Sequence, residues 1–242
     1  MKKVFFALIL SFFVPSIVWA EDKLAVYKQE CLDFISRPKV EVYGAYGKLE
    51  YNYEKNSDYL TSEQIKKVKE YSQQTSPEMK VLGWTQMQSK FDLKANFVRL
   101  ALSNGYNCFY PESLEISIEY DNPTIYIAKE LEVGTCLYDT TLRHERTHAQ
   151  IYIEALDYFL PRLKQYADAL FDSVGIKIIA KGESLDNAMV ELSEAYRNAI
   201  QKRVDSWYRA IETEQLKMDT LEQYTLESNL CREIEASKEE EF

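Results

Sequence analysis

The sequence predicts an α+β fold, with antiparallel strands first, then a helix carrying two histidines, then a second long antiparallel helix. Three observations predict it. Between residues 37 and 130, short stretches alternate apolar and polar residues, the period of a half-buried strand. After Gly134 the apolar positions recur at spacings of three and four, the period of a helix. Seven glycines are few and eighteen tyrosines are many, and several of those tyrosines alternate early in the chain, as on a half-exposed sheet.

The elements follow in order. Residues 1–20, MKKVFFALILSFFVPSIVWA, set two lysines before an apolar run and a small-residue end, the layout of a cleavable secretory signal. The run is short for a bilayer span and is broken by Pro15. Cleavage after Ala20 leaves residues 21–242 as a single domain, strand-rich over 37–130 and helical over 135–235, located in the periplasm or secreted. Glu21–Ser36 reads as a short helix or an irregular entry. Lys39–Glu54, KVEVYGAYGKLEYNYE, reads as two strands around Gly44 and Gly47. Thr61-Ser62-Glu63-Gln64 resembles a capping box that opens a short helix. Trp84–Leu102 reads as one or two strands, followed by a turn at Asn104-Gly105. Leu114–Tyr120 and Thr124–Ala128 read as a hairpin about Asp121-Asn122-Pro123.

A helix is expected to start between Thr135 and Asp139 and to end near Gly175, with Pro161 as a possible kink. Ser184 caps the second helical pattern, which runs through Met189, Tyr196, Ile200, Val204, Trp207 and Ile211 to Met218 and beyond.

Charge narrows the partners. The leader holds two lysines and no acid, so its removal takes the net charge from −10 to −12. Such a chain lacks the basic surface that nucleic acid or anionic lipid requires, and no stable membrane insertion is expected after cleavage. Four cysteines in an exported chain read as two disulfides. Pairing Cys108 with Cys136 would close the segment leading into the first long helix. Pairing Cys31 with Cys231 would tie the N-terminus to the last helix.

The stretch LRHERTHAQ contains His144-Glu145-Arg146-Thr147-His148, and these are the only two histidines in the chain. Residues four apart share one helix face, so two imidazoles there can bind one zinc ion and leave room for a third ligand and water. Both lie on the apolar stripe, where an unpaired imidazole is awkward to bury. Glu145 follows the first histidine and can take a proton from water, which zinc acidifies toward a pKa of ~7.

His144, Glu145 and His148 on such a helix resemble the active-site helix of the zincin metallopeptidases. There is a weaker similarity to bacterial predicted secreted zinc-dependent proteases, with Glu214-Gln215 and Asp219-Thr220 echoing a later segment of those proteins. The resemblance implies hydrolysis of a peptide or protein substrate, with His144 and His148 as zinc ligands and Glu145 as the base. Two alternatives remain: a non-catalytic zinc-binding scaffold that recognises an envelope partner, and a zinc amidase acting on cell-wall peptides.

The third ligand is sought by helix-hairpin arithmetic. A turn near residue 178 sets His144–His148 opposite residues 208–212, give or take a turn. Glu214 falls close by and interrupts the apolar stripe, so it is the expected third ligand, with Glu212, Asp219 and Glu154 as reserves. The same register brings Tyr208 and Arg209 within range of the metal as oxyanion stabilisers. Arg143 and Arg146 read as solvated charges. Thr124–Ala128 is the expected strand for aligning an extended peptide, by analogy with zincins.

Overall fold

The computed structural model describes residues 18–71 and 80–239. The leader read in residues 1–20 therefore lies outside them except for its last three positions, which already belong to a helix, α1 (Val18–Phe34). Five strands form one sheet: β1 (Lys39–Tyr46), β2 (Glu50–Asn52), β3 (Gly83–Ala101), β4 (Asn107–Ile127) and β5 (Lys177–Ile179). Four further helices are α2 (Ser57–Tyr71), α3 (Cys136–Ser173), α4 (Leu185–Met218) and α5 (Leu221–Glu239). The architecture is α+β, with most strands first and long helices after. Among the described residues no helix is long and apolar enough to cross a membrane.

Every other strand pairs with β4. Its 21 residues pair antiparallel with β3 through a turn in which Asn104 and Gly105 take left-handed φ values of 53° and 80°. The expected hairpin at Asp121-Asn122-Pro123 does not form. Buried positions on β4 run Leu114, Ile116, Ile118, Tyr120 and then Ile125, Ile127, so the inward parity flips between Tyr120 and Ile125. A bulge does this: Gln86 pairs with Thr124 and Gln88 with Asp121, leaving Asn122 and Pro123 opposite one residue, with Asn122 at φ 46°. A one-residue insertion re-aims the side chains that follow it without reversing the strand, and it is one of the few places a sheet tolerates proline.

The first two strands are also not an antiparallel pair. Both run parallel to β4, Lys39 facing Ser113 and Glu50 facing Thr124, so the register advances equally on both sides. They behave as one strand interrupted opposite the bulge, where Gly47 donates its N–H to Tyr120 O at 2.9 Å. Helix α2 begins a turn earlier than its expected capping box. Asn56 Oδ1 accepts the Tyr59 N–H at 2.8 Å, and Thr61 sits inside the helix.

The main core lies between the sheet and the α3–α4 hairpin. Leu114, Ile116, Ile118 and Tyr120 of β4 meet Leu156, Phe159 and Leu163 of α3 and Tyr196, Ile200 and Val204 of α4. Removing this apolar area from water, at roughly 25 cal/mol per Å², is the principal force holding both helices to the sheet. A smaller cluster, Ile125, Ile127, Tyr138 and Ala149, seats the first half of α3 over the end of β4. Thr135 caps α3, and the helix runs unbroken through Pro161. Ser184 caps α4 as expected, its side chain accepting the Asn187 N–H.

The disulfides are Cys31–Cys108 and Cys136–Cys231, correcting the expected pairing. Cys108 stands at the start of β4, and the chain leaves the far end of that strand before reaching Cys136. Those ends are roughly 60 Å apart at ~3.3 Å per residue, so no bridge could join the two cysteines. Instead α1 lies beside the start of β4, with Tyr27 stacked on Tyr106, and α5 folds back along the start of α3.

Candidate metal centre

The second helical pattern is two helices. α4 ends at Met218, and Thr220 caps α5 by accepting the Gln223 N–H at 3.2 Å. The break turns Asp219 toward α3, because Asp219 occupies the short non-helical joint (φ −86°, ψ 50°).

The hairpin register also differs from the expected one. Trp207 Nε1–H donates to Ala155 O at 3.3 Å, and Gln215 Nε2–H donates to His148 O at 3.0 Å. The facing positions are thus shifted by about seven residues, close to two turns. The connection between the helices carries β5, which sets α4 further along than a simple turn at residue 178 would.

Three ligand-type atoms converge as a result. His144 Nε2 and His148 Nε2 are 3.0 Å apart, and Asp219 Oδ1 lies 3.2 and 3.1 Å from them respectively. Four donors on a zinc ion with bonds of ~2.0–2.1 Å are separated by about 3.3 Å in a tetrahedron, so the triangle has the size of one tetrahedral face. The histidine side chains are 3% and 9% exposed and the aspartate 29%, which leaves one side open. His144, His148 and Asp219 form a group that could hold a metal ion.

A hydrogen bond beside the triangle aims the His148 lone pair inward. The Gln215 amide nitrogen is committed to His148 O, so its Oε1 faces His148 Nδ1 and accepts that ring's N–H. A neutral His148 then carries its lone pair on Nε2. Tyr224 on α5 donates its hydroxyl to Asp219 Oδ1 at 2.6 Å. His144 Nδ1 is buried with no hydrogen-bond partner among the described residues, and the Glu227 carboxylate approaches it to 3.8 Å.

Charge tells the same story. Glu145, Asp219 and Glu227 gather here, and among the described residues none of them pairs with a lysine or arginine. Burial opposes a charge on His148, but the Asp219 carboxylate and the Gln215 oxygen outweigh it and push that imidazole up to about 9. Burial works against the charged form of Asp219 too, yet the two histidines hold its carboxyl far below the ordinary range. In the metal-free protein a proton on His148 therefore neutralises the aspartate, in the place where a cation fits.

Glu145 is 6% exposed and points to the neighbouring strand. Thr85 Oγ1 lies 2.8 Å from both Glu145 Oε2 and Glu145 O, so one hydroxyl ties the carboxylate to its own helix backbone. Room for it comes from Gly83: a Cβ there would stand 2.6 Å from Glu145 Cγ and Oε1 and 2.7 Å from Thr141 Cγ2. Burial raises the Glu145 carboxyl above its usual value, while His148 and Thr85 pull it back down.

The other expected residues lie elsewhere. Glu214 turns outward, with a side chain 57% exposed and an ion pair to Lys217 at 2.6 Å, so Asp219 takes the position expected of it. Glu212 is exposed, and Glu154 is an exposed acceptor for Gln150 on its own helix. Tyr208 packs against the core beside Trp207, and Arg209 is exposed, both about two turns before Gln215. Arg143 and Arg146 are exposed as expected, and Arg146 donates to Tyr51 OH at 3.1 Å. Thr124–Ile127 lies between β2 and β3 and cannot accept a further strand, whereas β3 pairs only with β4 among the described residues.

Tyr224, Glu227, Gly83 and Thr85 were not singled out in the sequence, and Gln215 entered only through the resemblance, beside Asp219. Two signals pointed to some of them. Gln215 continues the spacing of Trp207 and Ile211 on the buried stripe of α4, and Thr220-x-x-Gln223 has the spacing of a capping box, whose Thr220 half opens a new helix directly after Asp219. Comparisons with protein-family models, with curated proteins and with solved structures find no match.

Proposed function

We propose that the protein is an exported zinc-dependent hydrolase, a metallopeptidase in which His144, His148 and Asp219 hold the metal and Glu145 is the general base. The observation that carries this reading is the triangle of two imidazole nitrogens and one carboxylate oxygen beside a buried glutamate that pairs with no lysine or arginine among the described residues. Two nitrogens and one oxygen suit zinc, and three protein donors with an open side is the arrangement of catalytic rather than structural zinc. Zinc bound there would supply a Lewis acid toward water and the scissile carbonyl.

The chain's own residues supply the rest. Glu145 takes a proton from water and passes it to the leaving amine, and its burial raises its basicity for the first step. Thr85 and the space above Gly83 hold that carboxylate in one orientation. Two disulfides and a leader-like N-terminus fit an oxidising, extracytoplasmic setting.

The test is hydrolysis by zinc-loaded protein of casein and of purified cell-wall peptides in parallel. Cleavage of casein that disappears in Glu145→Gln supports the peptidase reading. Cleavage confined to cell-wall peptides assigns an amidase instead. Tight zinc binding without cleavage of either substrate contradicts an enzyme and favours a binding scaffold.

A further inference from the structure

The buried stripe of α4 consists of Ala188, Leu192, Tyr196, Ile200, Val204, Trp207, Ile211 and then Gln215. A primary amide at the end of such a stripe is costly to bury unless both of its ends are bonded. Gln215 is 8% exposed, and both ends of its amide are spent on a single residue. Its nitrogen donates to the His148 carbonyl at 3.0 Å, and its oxygen accepts the N–H of the His148 ring. The two bonds close a ring between backbone and side chain, so the amide cannot rotate by half a turn without placing NH₂ against the imidazole N–H and oxygen against a carbonyl. One orientation of Gln215 thus selects one tautomer of His148.

We propose that Gln215 is a positioning residue that locks His148 with its proton on Nδ1, so that the Nε2 lone pair faces His144 and Asp219. This rests on the zinc reading above and adds to it a determinant of metal affinity that is not itself a ligand. A ligating imidazole can present its lone pair on either nitrogen. The clasp removes the tautomer with the proton on Nε2, which would set an N–H where the metal sits. It also fixes the ring plane, because the amide that accepts the ring N–H is itself tethered to the His148 carbonyl. The two helices are bonded at this level through the clasp itself, so it places α4 at the height from which Asp219 reaches the triangle.

The experiment uses the full mature chain labelled with ¹⁵N-histidine, which shows two imidazoles only, together with zinc competition against a chromophoric chelator. Two variants are compared with wild type. Gln215→Leu keeps an apolar stripe of similar volume and removes both bonds. Gln215→Glu keeps an acceptor for Nδ1–H and removes the donor to His148 O. The expected result is a slowly exchanging His148 Nδ1–H signal in wild type and Gln215→Glu, absent in Gln215→Leu. Zinc affinity should fall roughly 10- to 100-fold in Gln215→Leu and be largely rescued in Gln215→Glu. Equal zinc affinity in all three proteins, or equal loss in both variants, overturns the proposal. A merely structural glutamine predicts the second pattern. Should wild type take up no zinc, the metallopeptidase reading fails on its own. The clasp is then judged in the metal-free protein at a pH where the ring is neutral: a protonated Nδ1 beside an unprotonated Nε2 upholds it, and a proton on Nε2 instead overturns the proposal.

Discussion

Raising the pH of the metal-free protein should reduce its stability through one pair, His148 and Asp219. The imidazole sits at about 9 in the fold, against an ordinary value of ~6.5 in the unfolded chain. Because the folded value is the higher one, the stabilisation is fully present below pH ~6.5 and is lost as pH rises through about 9. The difference corresponds to an upper bound of roughly 3–4 kcal/mol at 1.36 kcal/mol per unit, and partial exposure of Asp219 to solvent brings the expected loss to about 1–3 kcal/mol. The depressed Asp219 carboxyl reports the same interaction from the other partner and is not counted again. Urea denaturation of chelator-treated protein at pH 6, 7.5 and 9 reads this directly, with Asp219→Asn as the control whose slope should flatten. Zinc competes with the same proton, so apparent zinc affinity should climb with pH until about 9 and then level off. Stability that is flat or rising from pH 6.5 to 9 in wild type, with no difference from Asp219→Asn, would refute the reasoning.

Further expectations follow from single contacts. Glu145→Gln should abolish hydrolysis while elemental analysis still finds zinc, since Glu145 bonds to Thr85 and not to the triangle. Gly83→Ala should lower stability by about 1–3 kcal/mol in denaturation and depress turnover more than zinc binding, because its Cβ drives into Glu145 and Thr141. Thr85→Val should leave zinc in place and slow turnover, read in steady-state assays, by freeing the Glu145 carboxylate. Replacing Cys136 and Cys231 together by alanine should cost about 2–4 kcal/mol by denaturation and weaken zinc binding, because that disulfide holds α5, the bearer of Tyr224 and Glu227, against α3.

Local signals carried much of this structure. The start of α3, the cap at Ser184, the turn at Asn104-Gly105 and the histidine pair each rest on residues within one or two turns of each other. Features set by distant partners were harder to read. A parity flip near Asn122 belongs equally to a hairpin and to a bulge, and only the long partner strand β3 decides between them. Parallel pairing of β1 and β2 with β4 joins residues 74 positions apart, as in Lys39 with Ser113, and leaves no local mark. The disulfides were misjudged because the length of β4 was not known. Glu214 was expected beside the histidines, where Asp219 stands, because helix-hairpin arithmetic assumes a symmetric turn, while β5 and its loops offset α4 by about two turns. Glu214 looked costly on the stripe, yet Gln215 is the polar residue buried there.

The central claim is that Asp219, with His144 and His148, completes a zinc site. It is tested most directly by the zinc content of purified mature protein, measured by elemental analysis beside Asp219→Ala and Glu214→Ala. The account predicts one zinc per chain in wild type and in Glu214→Ala, and its loss in Asp219→Ala. Zinc retained in Asp219→Ala but lost in Glu214→Ala, or no zinc taken up by wild type, would contradict it.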